Sequence, residues 1–567
     1  MRAQRHEATS AGLLVKKAEK SDRRDTGPIN AGQGGPNKRR SRHDDIHEWE
    51  LTVGIEIHAQ LNTKRKLFSS AATSINESPN SHIALFDAAL PGAQPLVLEK
   101  GLQTETLIPA LRAALAFNCR IEPISRFDRK HYFYQDQPAG YQITQYYEPL
   151  ARDGQIVLST HDGIAPEDEC GVIVGIKQVQ IEQDTAKTLL QGSSMNLLDF
   201  NRVSHPLIEI ITLPQLHHPA TAAACVQKIQ TILKSVDACT LGMEMGGLRA
   251  DVNVSVRRRS GQQPDLEYHG VKGLGQRTEI KNLSSFRAIE EAIEAERDRQ
   301  ISVLKHGGIV EGETRGWTLG SVETTTLRGK EGEVDYRYMP DPDIPPVVID
   351  PNLIDYLEKT LPLQPDDQLK WLNSSPLHGL TIKDAKTLMS LDDGNRLDFY
   401  ETVRAIVHTS IAEPKTAQSL TVSDSGRVTG NWVLHELGGL LSSSEKTWDQ
   451  NPVSAEAMAK ILILLLQKEI TGKSAKRLLA MTVAGDHRSI EQLVRDENLL
   501  LKHISEDDYE RLALEVIREN GDVVDSIKRQ KKMGKVNFLV GLVMRRGEKG
   551  SMEAPKVESA IRRLLDI

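Results

Sequence analysis

A chain of 567 residues exceeds what one hydrophobic core sustains and should divide into several domains. Its net charge of −7 excludes a protein that grips nucleic acid over its whole surface, so any such contact must be local. Cys119, Cys170, Cys225 and Cys239 show no CxxC or Cys/His ligand spacing, which reads as reduced thiols and not as a disulfide framework or a zinc site.

Residues 1–46 are basic: Lys16, Lys17, Arg23, Arg24 and Lys38 to Arg40 stand among few acids, with Gly, Pro and Asn in the later part. Such a stretch cannot bury enough surface to fold, and its composition predicts either a mitochondrial transit peptide or a nonspecific basic tail. Residues 47–348 read as a mixed or antiparallel sheet region with inserted helices, 349–450 as a helical domain and 451–567 as a second, all-helical unit, an α+β protein overall.

Gly54 to His58 (GIEIH) alternates polar and apolar, so Glu56 and His58 face one side of a strand. A helix follows from Leu102 to Leu115, with Leu107, Leu111 and Leu115 four apart. The segment Arg126 to Pro149 holds Tyr132, Tyr134, Tyr141, Tyr146 and Tyr147, five of eleven tyrosines, interleaved with Arg126, Arg129 and Lys130. That mixture makes either a platform for a base with cations for phosphate or an aromatic strand pair in a core; Lys130 is harder to explain as core.

Gln178 to Asp184 (QVQIEQD) repeats the alternation with Glu182 and Asp184, and by parity Gln183 faces away from Glu182. Gly246 and Gly247 form a tight turn or a close approach to a ligand. Next, Arg249 to Arg257 (RADVNVSVR) places Arg249, Asp251, Asn253, Ser255 and Arg257 on one face of a strand and Ala250, Val252, Val254 and Val256 on the other. Arg277 to Lys281 (RTEIK) adds Glu279 and Lys281. A helix from Phe286 to Leu304 is bounded by Ser284 and Ser285 in front and by Lys305, His306 and two glycines behind. MPDPDIPP, Met339 to Pro346, is a domain boundary or a rigid loop. The apolar run Ile461 to Leu466 is too short to span a bilayer, and Gly472 to Ser474 lacks the first glycine of a phosphate loop.

For any one of these strands a plain solvated face is the alternative, but the four together favour an anionic basin built from distant parts of the chain. Glu56 beside His58 is a metal-ligand pair, and carboxylates from other strands complete an oxygen-rich cage suited to Mg2+, with Mn2+ as substitute. No nucleophile motif is present. What remains is electrostatic chemistry that activates a substrate through ATP.

VGIEIHAQLNTKRKLFS from Val53, ALPGAQPLVL from Ala89, FDRKHYFYQDQPAGYQITQ from Phe127, DFNRVSHPLIEI from Asp199, MEMGGLRADVNVSVR from Met243, RTEIKNLSSF from Arg277 and VDYRYMPDPDIPP from Val334 resemble, in order, the B subunits of the aspartyl/glutamyl-tRNA amidotransferases. KVNFLVGLVM from Lys535 is similar to that family's tRNA-contacting tail, and the basic extension and Gln183 to a mitochondrial, fungal-type form. The resemblance implies that 47–348 is the catalytic domain and that Glu-tRNA(Gln) becomes Gln-tRNA(Gln) through an ATP-phosphorylated glutamyl group. Ammonia would come from an A-type amidase subunit, with a small third subunit of C type or fungal F type, in the mitochondrial matrix with no membrane contact.

It further implies that Glu56, His58, Glu182, Asp251 and Glu279 hold metal. Lys130, Glu182, Arg249 and Lys281 would act in catalysis, and Tyr132, Tyr134 and Tyr141 would meet the tRNA 3′ end or substrate. The chain departs from the family pattern at Gln183 and Met245, where acids are common. A scaffold subunit that binds tRNA without chemistry and a free-standing metal-dependent hydrolase are the alternatives.

Overall fold

The computed structural model describes residues 48–566 apart from 75–76, 97–103, 192–194, 240, 260–266, 269–270, 273, 330–336, 375–376, 413–421, 502–504, 531–532 and 548–552. The basic extension lies outside the described residues. The fold is α+β: a mixed sheet region leads, and helices make up the rest.

One sheet has nine strands among the described residues, in the order Thr325–Gly329, Glu313–Gly316, Thr278–Leu283, Leu248–Arg258, Trp49–Gln60, Pro206–Thr212, Val172–Gln183, Ala151–Leu158 and Arg120–Ile121. Neighbours are antiparallel except for Thr278–Leu283 beside Glu313–Gly316, which makes the sheet mixed. One parity of the central strands is apolar: Val53, Ile55, Ile57, Ile208, Ile210, Val179, Ile181, Val252, Val254 and Ile280 are all buried. They share a core with Cys225, Val226 and Ile229 of the helix Pro219–Ser235 and with Ile289, Ala292 and Ile293 of Phe286–Lys305. Each such side chain contributes roughly 1.5–3 kcal/mol through removal from water, which fixes the register and leaves the other parity to function.

The helix Phe286–Lys305 begins where Ser285 Oγ accepts the Ala288 N–H and ends at Lys305, as its flanking residues predict. The earlier helix runs Thr104–Ala116, and the MPDPDIPP segment forms a clamped loop whose Asp341 accepts the backbone N–H groups of Asp343 and Ile344.

The helical cores divide elsewhere than expected. The first core extends through Ile349 to Leu357 of the helix Pro351–Thr360, beyond residue 348. A second joins Tyr400 and Val403 of Asn395–Ala412 to Met458, Ile461 and Leu462 of Ala455–Leu466 and continues to Leu499, so no core ends at 450. The turn chemistry near Asn451 marks a helix boundary, while the apolar faces on either side of it meet. A third core spans Tyr509 to Leu565. The first two units meet at a charged cluster, where Lys228 pairs with Asp162 and Asp366, His161 Nε2 lies 3.6 Å from each acid, and Lys386 stands 3.8 Å from Asp162.

Cys119, Cys225 and Cys239 are buried thiols that burial pushes up to about 12. Among the described residues no helix is long and apolar enough to cross a membrane.

Candidate active site

The polar parity of five adjacent strands forms one surface. Glu56 faces Asp251 and His58 faces Arg249 across one strand pair, His58 faces Glu209 across the other, Asn253 faces Glu279, and Glu209 faces Gln180. Directly opposed side chains lie with Cβ atoms about 4.5–5.5 Å apart, so these acids form a continuous row.

At one end His58 Nδ1 stands 3.5 Å from Glu182 Oε1, and one donor atom each from His58, Glu182 and Glu209 lie within 4.8 Å of one another. Burial would lower the imidazole, but the carboxylates of Glu209 and Glu182 outweigh it and push His58 up to about 9. Burial and the nearby Glu182 carboxylate raise Glu209 well above the usual carboxylate range. Burial opposes the charge on Glu182 too, yet His58 and Lys130 hold it below that range. The trio thus favours a charged His58 beside a charged Glu182, with Glu209 favoured in its neutral form.

At the other end Lys281 Nζ sits 3.1 Å from Asp251 Oδ2 and 3.3 Å from Glu279 Oε1. Its burial is outweighed by these acids, which hold its pKa above the usual lysine value. Asp251 Oδ1 accepts the Asn282 N–H at 2.9 Å, and Thr314 Oγ1 donates to Glu279 Oε2 at 3.2 Å. Asn253 Nδ2 donates to Glu56 Oε1 at 2.9 Å, and Asn253 Oδ1 is a buried acceptor with no donor among the described residues.

The two carboxylates and the imidazole of the trio fit a divalent cation. The expected ligands Glu56, His58, Glu182, Asp251 and Glu279 do share this surface, but they do not form one coordination sphere. The compact trio is completed by Glu209, and the Lys281 ammonium lies between Asp251 and Glu279 where a cation would compete. Glu209 escaped the sequence reading because its same-face neighbours, Leu207 and Ile211, are apolar, which breaks the alternation rule. A lone acid in PLIEII is the signal that marks it.

Gln183 does face away: its Nε2 donates to Ser204 Oγ at 2.7 Å and its Oε1 accepts the Ile143 N–H at 3.3 Å. Met245 is exposed on the turn before the Leu248–Arg258 strand, and Gly246, at φ 76°, makes that turn a tight one. Arg249 Nη2 lies 3.3 Å from Asp184, which Arg202 also approaches at 3.5 Å.

Lys130 reaches the basin from a second sheet, in which Asp128–His131 pairs with Tyr141–Thr144 and Tyr338–Pro340. This sheet is tied to the large one where Gln142 Nε2 donates to Gln183 O at 2.7 Å and the Ile181 N–H to Gln145 Oε1 at 3.0 Å. The Tyr132 and Tyr134 rings lie 5.8 Å apart, and Tyr134 is exposed. Burial pushes the Tyr132 hydroxyl up, partly offset by Lys130. Tyr141 differs: Arg129 stacks 4.3 Å over it, held by Asp341 and Asp343, and the ring packs on the first core. It supports the sheet and leaves the open face to its neighbours.

An α+β fold that gathers buried acids, an imidazole and the cations Arg249 and Lys281 on one sheet face, with Lys130 on an adjoining sheet, is the frame of an enzyme domain. The family model described as the GatB/GatE catalytic domain matches residues 51–355, and that described as the GatB domain matches 417–565. The mitochondrial glutamyl-tRNA(Gln) amidotransferase B subunit of Paracoccidioides lutzii is 60% identical over 523 residues, 92% of this chain and 85% of its own length. The protein of that name from Aspergillus fumigatus is 57% identical over 528 residues, 93% of this chain and 86% of its own. The chain belongs to the family of glutamyl-tRNA(Gln) amidotransferase B subunits.

Proposed function

We propose that this chain is a mitochondrial ligase subunit that converts Glu-tRNA(Gln) to Gln-tRNA(Gln). The observation that carries the chemistry is the gathering of Glu56, His58, Glu182, Glu209, Asp251 and Glu279 with Arg249 and Lys281 on one sheet face, beside Lys130 of the second sheet.

A carboxylate is a poor electrophile with a poor leaving group, and phosphorylation cures both faults. The glutamyl side-chain oxygen attacks the γ-phosphorus of ATP, the bond to the β-phosphate oxygen breaks and ADP leaves. Ammonia then adds to the acyl carbon, the C–O bond to phosphate breaks, and inorganic phosphate departs with the amide formed. His58, Glu182 and Glu209, with Glu56, Asp251, Glu279 and the Asn253 amide oxygen alongside, would hold Mg2+ or Mn2+, which would supply neutralisation of the phosphate charge. Lys130 and Lys281 offset the charge of the transferring phosphoryl group, Lys281 being fixed by its two acids. Arg249, oriented by Asp184, holds an anionic part of the substrate. Tyr132 and Tyr134 face the tRNA 3′ end. Ammonia arrives from an A-type amidase subunit, with a small third subunit completing the complex. The unit built on the third core contacts tRNA; in it Val536, Leu539 and Val543 of KVNFLVGLVM are buried and Phe538 is exposed.

The deciding experiment feeds the assembled complex γ-labelled ATP and Glu-tRNA(Gln). Labelled phosphate release that requires Glu-tRNA, with an acyl phosphate trapped by hydroxylamine, is the expected result. Amidation without ATP would leave the scaffold reading standing, and turnover by the isolated chain without tRNA the hydrolase reading.

A further inference from the structure

Two consecutive tyrosines, Tyr146 and Tyr147, hold 39% and 53% of their surface exposed, yet the backbone beneath them is fixed at every polar group. The buried carboxylate of Asp128 accepts both of their N–H groups, at 3.0 Å each. Gln178 Nε2 donates to Tyr146 O at 3.4 Å and Arg152 Nη2 to Tyr147 O at 2.8 Å. Burying Asp128 raises its pKa and is costly, and the two amides offset part of that cost. A surface turn needs no such clamp, whereas rings that must receive a flat partner do.

The rings themselves form a platform. Tyr338 stacks on Tyr146 with centroids 4.0 Å apart and planes 16° from parallel, and Tyr147 meets both edge-on, at 5.1 Å and 6.2 Å. The platform is connected to the anionic basin by a polar chain: Gln178, which holds Tyr146 O, also donates to Gln180 Oε1, and Gln180 Nε2 donates to Glu209 Oε2 at 2.6 Å. Lys130 Nζ lies 5.7 Å from the Tyr338 centroid, and its strand partner Gln142 donates to Gln183 O at 2.7 Å, on the strand that carries Glu182. The platform thus adjoins both an ammonium and, through the glutamine chain, a carboxylate of the basin.

We propose that the Tyr146–Tyr147–Tyr338 platform stacks the adenine of ATP, whose phosphates run past Lys130 into the basin. This rests on the reading that ATP and the glutamyl carboxylate meet there. The 3′-terminal adenosine of tRNA offers the same base, but the glutamyl group it carries brings a single carboxylate, whereas a triphosphate brings the several negative charges that an ammonium and a metal-binding basin together would offset. A nucleoside triphosphate matches a base site, a cation and a metal-binding basin.

The test uses the complete amidotransferase complex and measures KM for ATP and for Glu-tRNA(Gln) separately. Tyr147→Leu is expected to raise the ATP KM about tenfold, the scale of one lost base–aromatic stack, with the tRNA KM at its wild-type value. Tyr147→Phe keeps the ring and restores the ATP KM. In the wild-type complex, photolabelling with 8-azido-ATP should mark the peptide bearing Tyr146 and Tyr147 and be suppressed by ATP. An unchanged ATP KM, label found only elsewhere, a rise confined to the tRNA KM, or loss of partner subunits from the Tyr147→Leu complex would each overturn the proposal, the last two by assigning the rings to terminal adenosine or to a protein interface. Glu-tRNA-dependent phosphate release by the wild-type complex is read in parallel, so failure of the platform is separable from failure of the ATP reading.

Discussion

Lys66 and Asp87 are both fully buried, with Lys66 Nζ 3.2 Å from Asp87 Oδ2 and 3.1 Å from Phe200 O. Ser69 Oγ and the Ala84 N–H also reach Asp87 Oδ2, so the pair fixes the loop that leaves the Trp49–Gln60 strand. Burial pushes the Lys66 pKa down, against the pull of Asp87. Lys66→Met leaves a buried carboxylate without its counter-charge and is expected to cost about 3–5 kcal/mol, whereas Lys66→Met combined with Asp87→Leu should cost clearly less than the sum of the single changes. Urea denaturation of the four proteins checks this, and strict additivity would show that the two side chains do not depend on each other. Glu209 presents the opposite case, an acid kept where it is electrostatically disfavoured. Its retention beside Glu182 fits a site built for a cation, so Glu209→Gln should lower ATP-dependent amidation about 10- to 100-fold, and metal titration by calorimetry should show a matching loss of affinity. Wild-type metal affinity in that variant would remove Glu209 from the site.

The strands depend on what lies behind them. Glu296 on the Phe286–Lys305 helix is fully buried and accepts from Thr278 at 2.6 Å, Thr324 at 2.6 Å, Gln300 at 2.8 Å and Arg299 at 2.7 Å, with Arg315 3.3 Å away. It thereby locks the strand carrying Glu279 to its neighbour carrying Thr314. Burial opposes its charge, but these donors hold its pKa below the ordinary 4.5. A depressed folded pKa contributes stability that is present above 4.5 and lost as pH falls through the folded value. Glu296→Gln should therefore be less stable than the wild type at pH 7 and lose less on acidification below about 4.5, as measured by urea midpoints across that range. Equal acid slopes would mean that Glu296 carries no net charge linkage. The strands with strict alternation, such as Arg249 to Arg257, were legible in the sequence because one buried parity dictates the other. The Glu296 cluster was not, because a lone acid on an otherwise ordinary helix face carries no period. Glu209 was hidden for the converse reason, being the polar residue in an apolar strand.

At the scale of the molecule, the sequence shows helices after the proline-rich loop but not which of them share a core. Helix boundaries follow from local chemistry, such as Ser454 Oγ capping the Ala457 N–H, whereas core membership depends on which apolar faces meet across long separations. Met458, Ile461 and Leu462 are fully buried in the same core as Tyr400 and Val403, so a chain ending at residue 450 would strip the Asn395–Ala412 helix of its partner. Such a truncation is expected to lose the middle unit's cooperative unfolding and expose apolar surface, since removal of each large side chain from a core costs about 2–5 kcal/mol. A chain ending at Leu501, past the last residue of the second core and before Tyr509 opens the third, leaves both remaining cores intact. In complex with its partners it should keep its thermal transition and its KM for ATP while its affinity for Glu-tRNA(Gln) falls, because only the unit assigned to tRNA has been removed. Filter binding of labelled tRNA against calorimetry of the two truncations separates the effects: unchanged tRNA affinity at Leu501 would move the tRNA contact to the first two units, and a single intact transition for the shorter chain would show that the second core does not need the Ala455–Leu466 helix.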